Sequence, residues 1–250
     1  MTYTELTGDD YLSALRAEGT LFVAAAVRAG FDAAVPSCPE WDVGDLVFHT
    51  GRVHRWFHGM LSTGGQDPKT RPKITRPETD AELPDWYRGG LELIGLYLSG
   101  VSDSEPVWTF TGGDVGRWPK RRQAQEVLMH RFDAELAAGA VTDGDPVLCA
   151  DGIDEAFGVF LPNKSRETPL PGSVHLHCTD THGEWMLTPN GMNFSVTREH
   201  GKGDVALRGP AQLLLLVVMR RVSVDDALQS GAELFGSRDA LDALIELTRF

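Results

Sequence analysis

The sequence predicts a two-part α+β chain: a four-helix bundle over residues 1–150, then a small α+β domain with an antiparallel sheet over 151–250. Three observations carry this. Apolar residues recur at helical spacing through four segments of the first half. After about residue 145 the spacing changes to strand-like alternation. A chain of 250 residues with 42% hydrophobic content is long enough for one large domain or two of ordinary size.

The first predicted helix runs from Asp9 to Ala29, with Tyr11, Leu12, Leu15, Leu21, Phe22 and Ala25 to Val27 as its apolar positions, and ends at Gly30. A loop, Val35-Pro-Ser-Cys-Pro-Glu-Trp41, follows. Asp42 is placed to cap a second helix from Val43 to about Leu61, whose apolar stripe is Leu46, Val53, Phe57 and Met60 and includes His49. Gly64 to Pro77 is polar, basic and Pro-rich and reads as a long loop. The third helix covers about Asp80 to Leu98; Pro84 is tolerable only in a first turn, so the helix is free to begin there. The fourth covers Pro119 to Ala138 and stops at Gly139. Such bundles build metal sites between facing helices.

In the second half, Ser173-Val-His-Leu-His-Cys-Thr179 alternates with period two. Glu184–Leu187, Met192–Thr197 and Asp204–Leu207 are further short strands between Gly, Pro and Asn turns. Gly209-Pro210 opens a buried helix through Arg220. A short acidic helix near Asp225 and a last helix from Arg238 to Leu247 close the chain.

Net charge is −13, from 23 Lys and Arg against 36 Asp and Glu. That disfavours nucleic acid as a partner, because phosphate binding needs a basic surface. The basic run Arg117 to Arg122 reads as the polar start of a helix, with the option of attracting an anion. No segment reaches the ~18 apolar residues of a membrane span, and the polar, acidic N-terminus does not resemble a signal peptide. The expectation is a cytoplasmic protein. Cys38, Cys149 and Cys178 have no paired spacing, which predicts free thiols rather than a metal knuckle or a disulfide framework.

Glu126 and His130 lie four residues apart in a segment of strong helix formers, so they share one face, which Val127, Ala134 and Ala137 continue. A carboxylate and an imidazole turned toward packed protein need a compensating partner. A divalent metal is the best single one, and His49 is the best third ligand. His54 and His58 form a competing i,i+4 pair, roughly 140–180° around the helix from His49, and are read as exposed. His175 and His177 share one side of a strand, the spacing β-sheet metal sites use. They are read as facing solvent or a domain interface, with Val174, Leu176 and Cys178 turned to the core. Cys38 has an acidic neighbour, which raises rather than lowers a thiol pKa, and is assigned a structural role.

Together these segments resemble a known family. The stretch from Val35 through Trp56, with Pro39-Glu-Trp-Asp and His49, is similar to the N-terminal signature of the mycothiol-dependent maleylpyruvate isomerases, DinB-like metal-binding helical bundles. Glu126-Val-Leu-Met-His130-Arg-Phe-Asp resembles that family's second metal motif. Val174-His-Leu-His-Cys-Thr-Asp180, followed by Gly-Glu-Trp-Met-Leu187, resembles its C-terminal domain. The resemblance implies that His49, Glu126 and His130 bind one divalent metal, usually zinc. It also implies mycothiol as a thiol cosubstrate, a small-molecule substrate, and a cis–trans isomerisation or thiol transfer. It further implies a basic residue from the C-terminal domain near the site; Arg220 and Arg221 both fit.

Two histidines and a carboxylate leave a metal with open positions, as catalytic zinc sites do. Two rival readings stand beside the isomerase or transferase. The same ligands suit non-haem Fe(II) chemistry. Alternatively, the metal serves a small-molecule binding or regulatory protein without catalysis. Oligomeric state is not legible in the sequence.

Overall fold

The computed structural model describes residues 6–65, 73–112, 114–163 and 168–248. The chain divides into two compact units, one over Leu6–Thr142 and one from Asp143 onward. The sequence-based boundary at residue 150 falls inside a helix of the second unit, Pro146–Glu155.

The first unit is built on four long helices: α1 Gly8–Ala29, α2 Val43–Ser62, α3 Leu83–Ser99 and α4 Arg117–Ala137. Their starts are chemically marked. Thr7 and Asp10 form a reciprocal capping box at α1, and Asp42 Oδ1 accepts from the Asp45 amide at 2.7 Å ahead of α2. A 3₁₀ turn, Asp80–Glu82, leads into α3, and Pro84 sits in that helix's first turn. A two-residue hairpin, β1 Pro106–Val107 with β2 Asp114–Val115, lies between α3 and α4. Of the predicted Gly64–Pro77 loop, residues 66–72 lie outside the described residues.

α1 packs along α4 and α2 along α3. Leu15, Phe22, Leu46, Tyr87, Ile94, Leu128 and Phe132 are fully buried between them, each such side chain contributing roughly 1.5–3 kcal/mol. Gly51 lets α2 approach α3 closely: a Cβ there would lie 2.4 Å from the Trp86 ring. α4 is buried nearly all round, charges included. Arg131 is 1% exposed and meets Glu18 at 2.8 Å and Glu135 at 3.5 Å, so removing one member leaves an uncompensated buried charge, at about 3–5 kcal/mol.

Two sequence expectations change here. The buried residues of α2 include Val43, Val47, Thr50, His54, Phe57 and Leu61, so His54 lies among them and is fully buried rather than exposed. The helix is covered on more than one side, which widens the buried face beyond the stripe read from Leu46, Val53, Phe57 and Met60, of which Leu46, Phe57 and Met60 are buried. The basic run at the start of α4 is only partly solvated. Lys120 is buried against Asp103 at 2.8 Å, and Arg122 is buried against Glu126 at 2.9 Å.

The second unit starts with α5, Pro146–Glu155, capped by Asp145, and continues through a π-helical turn, Ala156–Phe160. A five-stranded sheet follows: β3 Val174–Cys178, β4 Glu184–Asn190, β5 Asn193–Thr197, β6 Val205–Gly209 and β7 Glu233–Gly236. Its strand order is β5-β4-β3-β6-β7. β3 and β6 pair in parallel and every other neighbour pair is antiparallel. Val174, Leu176, Trp185, Leu187, Val205 and Leu207 are fully buried on one face, as period-two alternation requires. α6 Ala211–Val218 and α7 Val224–Gln229 precede β7, and α8 Asp239–Leu247 follows it. Among the described residues no helix is long and apolar enough to cross a membrane.

Candidate metal centre

α2 contributes His49 and α4 contributes Glu126 and His130. His49 Nε2 lies 3.2 Å from Glu126 Oε1, and His130 Nε2 lies 3.3 Å from the same oxygen. One ligand atom from each of the three residues falls within 4.8 Å of the others. Two donors held at zinc bond lengths in a tetrahedral shell are about 3.4 Å apart, so the spacing fits a single small cation. The three side chains are 24%, 18% and 12% exposed, in the order His49, Glu126, His130, which leaves the cluster reachable by a small ligand.

The surroundings orient each donor. His130 Nδ1 donates to Asp133 Oδ2 at 2.9 Å, and Asp133 is fully buried. Ser37 Oγ donates to the other oxygen of Asp133 at 2.6 Å. A histidine whose far nitrogen donates to a carboxylate keeps the lone pair of its near nitrogen for a metal. Glu126 Oε2 accepts from Arg122 at 2.9 Å, which turns Oε1 to the two imidazoles. Trp41 covers the His49 ring at 4.8 Å between centroids. His49 Nδ1 is buried without a hydrogen-bond partner, so among the described residues the polar contact of this ring is the one at the cluster. A His/His/carboxylate donor set with this bracing fits a divalent ion.

The electrostatics agree with the geometry. Burial works to raise the Glu126 carboxyl, but the charge of His130, hydrogen bonds from His130 and His49, and the Arg122 guanidinium outweigh it and hold it well below the usual carboxylate range. Burial works to lower the His130 imidazole, yet the Glu126 charge and the bonds to Asp133 and Glu126 push it up to about 9. Together they form a carboxylate–imidazolium pair at neutral pH, and a metal taking His130 Nε2 would displace its proton.

His54 stands apart. Its Nδ1 lies 2.7 Å from Gln123 Oε1, and burial, opposed by that bond, lowers its pKa to about 4. It packs beside Tyr87 at 5.4 Å between centroids and is a core imidazole. His58 is half-buried, edge-on to Tyr97 at 5.2 Å. In the second unit, Arg220 contacts Ile245 O at 3.2 Å and Glu246 at 3.1 Å, and Arg221 donates to Met219 O at 2.7 Å. Arg220 has φ 62° where the chain leaves α6, a left-handed position that glycine usually takes.

The roles of Asp133, Ser37, Arg122 and Trp41 beside the donors escaped the sequence reading. Asp133 had a findable signal: it follows His130 by three residues on the same helix, and metal-binding histidines recurrently take a carboxylate on the far nitrogen.

Comparison with known proteins places the fold. Residues 12–135 match the family model described as the mycothiol maleylpyruvate isomerase N-terminal domain. Residues 147–243 match the C-terminal domain of the same proteins. A crystal structure of a mycothiol-dependent maleylpyruvate isomerase superposes with a TM-score of 0.62 at 14% identity, over 90% of this chain and 93% of that one. A histidine-to-alanine mutant of such an isomerase gives 0.63 at 14% identity, over 94% and 95%. At that identity the likeness is one of fold. No curated protein matches the chain.

Proposed function

This chain belongs to the mycothiol-dependent maleylpyruvate isomerase family, and on that premise we propose that it is a metal- and thiol-dependent enzyme. It isomerises a small, activated, carboxylate-bearing substrate or transfers a thiol to it, with mycothiol as the thiol. The convergence of His49, Glu126 and His130, with Asp133 bonded behind His130, carries the reading.

His49, Glu126 and His130 would hold one divalent ion of the zinc type. When bound, such an ion acts as a Lewis acid and favours the thiolate form of a thiol at neutral pH. Around it, Asp133 and Ser37 hold His130 in one orientation, Arg122 holds Glu126, and Trp41 packs against the His49 ring. In the isomerisation, the thiolate sulfur adds to one carbon of the activated cis double bond, and the displaced electron pair moves onto the conjugated carbonyl. The new single bond rotates. The electron pair returns, the carbon–sulfur bond breaks, and the thiolate leaves with the trans product.

Arg220 or Arg221 is assigned to the substrate carboxylate, which a guanidinium binds bidentately. Three widely spaced cysteines suit a reducing, cytoplasmic setting.

The test is turnover of maleylpyruvate by the full chain with and without mycothiol, beside anaerobic metal analysis. Zinc-dependent turnover that needs the thiol is expected. Thiol-independent turnover would overturn the reading, and stoichiometric iron with no zinc would favour iron chemistry instead.

A further inference from the structure

A second group of donors lies on the sheet of the C-terminal unit. His175 and His177 alternate onto one face of β3, and the register places Glu184 of β4 opposite His177. The segment between β5 and β6 adds His200. Gly203 brings that segment close: a Cβ there would lie 3.1 Å from the His175 amide nitrogen and 2.8 Å from Val205 O. Glu184 is the hub. Its Oε1 lies 2.9 Å from His177 Nδ1, and its Oε2 lies 3.3 Å from His175 Nε2 and 3.0 Å from His200 Nδ1. The three rings stand 5.7 to 6.3 Å apart between centroids, and one ligand atom from each of the four residues lies within 4.8 Å of all the others.

We propose that His175, His177, Glu184 and His200 form a second metal site, which takes one zinc-class divalent cation and clips the β5–β6 segment to the β3–β4 hairpin. Three imidazoles around one carboxylate match borderline cations such as zinc, whereas magnesium and calcium require oxygen donors. The contacts of 2.9 to 3.3 Å approach the donor–donor spacing of about 3.4 Å in a tetrahedral zinc shell. Four protein donors fill that shell, which is the pattern of a structural site rather than a catalytic one. The alternation of β3 shows the His175/His177 pair, but only the strand register and the returning segment reveal the other two ligands. His175 is 5% exposed, so it does not face open solvent as the alternation alone suggests.

The experiment uses the full chain, stripped by chelator and titrated with Zn²⁺ alone against a chromophoric competitor. The native chain should bind one equivalent more, at or below about 1 μM free zinc, than a His177→Ala/His200→Ala chain. That difference is read whatever the bundle centre binds, so the two assignments fail separately. Zinc should also raise the melting temperature of the native chain by more than that of the double variant. The His200 side chain is 81% exposed, so His200→Ala alone keeps the fold and should weaken the extra equivalent by more than about tenfold. Equal zinc stoichiometry in native and variant chains, or an extra equivalent that binds only far above micromolar zinc, sinks the proposal.

Discussion

The bundle cluster and the sheet cluster use the same two side-chain chemistries and differ in what stands behind them. In the bundle, three donors converge, and each is braced from outside the cluster: His130 by Asp133, Glu126 by Arg122, His49 by the Trp41 ring. On the sheet, three imidazoles converge on one carboxylate to make four donors, and one of them, His200, is largely in water. Three braced donors leave room on a cation for a reactant, whereas four donors close the shell. The proposed division of roles rests on donor number and bracing rather than on the presence of histidine and glutamate, which both clusters share.

The largest expected effect tests that distinction. His130→Ala should remove the bundle's metal and reduce thiol-dependent turnover by more than the roughly 100-fold upper range for loss of an outer partner. The fold should survive, because the apolar core between α1 and α4 does not depend on the ion. Elemental analysis with circular dichroism checks both halves. A His130→Ala chain that keeps its turnover would place the chemistry elsewhere and remove the contrast between the clusters.

Legibility followed a similar line. The Glu126/His130 pair was readable because both residues come from one helix, where spacing alone defines a shared face. The four helices were readable from caps and punctuation such as Asp42, Gly30 and Gly139. The burial of His54 was not, since α2 is covered on several sides and a stripe read from apolar residues alone skips Thr50 and His54, which sit among them. The sheet cluster was half legible. β3 alternation paired His175 with His177, but Glu184 and His200 join them through register and a returning segment that no local pattern encodes. β7 has only four residues, and α5 carries few apolar repeats, so both fell below what periodicity detects.

The next effect probes how dry the bundle interior is. Burial lowers the His54 imidazole to about 4 in the folded chain, against the ordinary value of 6.5. As pH falls, the unfolded chain therefore takes up the proton first. Stability is unaffected above 6.5, falls between 6.5 and about 4, and levels off below. The full loss is on the order of 3 kcal/mol at 1.36 kcal/mol per unit. Tyr87 from α3, Gln123, Glu126 and His130 from α4, and Arg55 from its own helix surround it, and some of these titrate as well. The measurement is therefore the difference between native and His54→Gln chains in denaturant unfolding across that range. A native chain with the same acid limb as the variant would mean that water reaches this part of the bundle.

A smaller effect isolates the bracing. Asp133→Asn keeps the shape and the contact with Ser37 but removes the charge beside His130. Metal affinity or turnover should fall by about 10- to 100-fold, with the metal still bindable at higher concentration. The sheet cluster has no described counterpart of Asp133, so sharpening the comparison means finding this graded loss in the bundle alone. An Asp133→Asn chain indistinguishable from native in zinc affinity would show that the bracing is packing rather than tuning.

The smallest expected effect comes from His58, and it guards the assignment of every other histidine in α2. Nine residues separate it from His49, which is two and a half helical turns and places the two on opposite sides of the helix. Its ring touches Tyr97 edge-on at 5.2 Å, a pair worth about 0.5–1.5 kcal/mol, and it lies outside both donor clusters. His58→Ala should therefore cost roughly that much stability and leave zinc content and thiol-dependent turnover as they are. His130→Ala should do the reverse, sparing the fold and losing the metal. Both substitutions delete one imidazole from the same bundle, so the general effect of losing a histidine cancels between them. If His58→Ala stripped zinc while His130→Ala retained it, the ligand would come from the other face of α2, and the site would have to be rebuilt around His58 and the Tyr97 side of the helix.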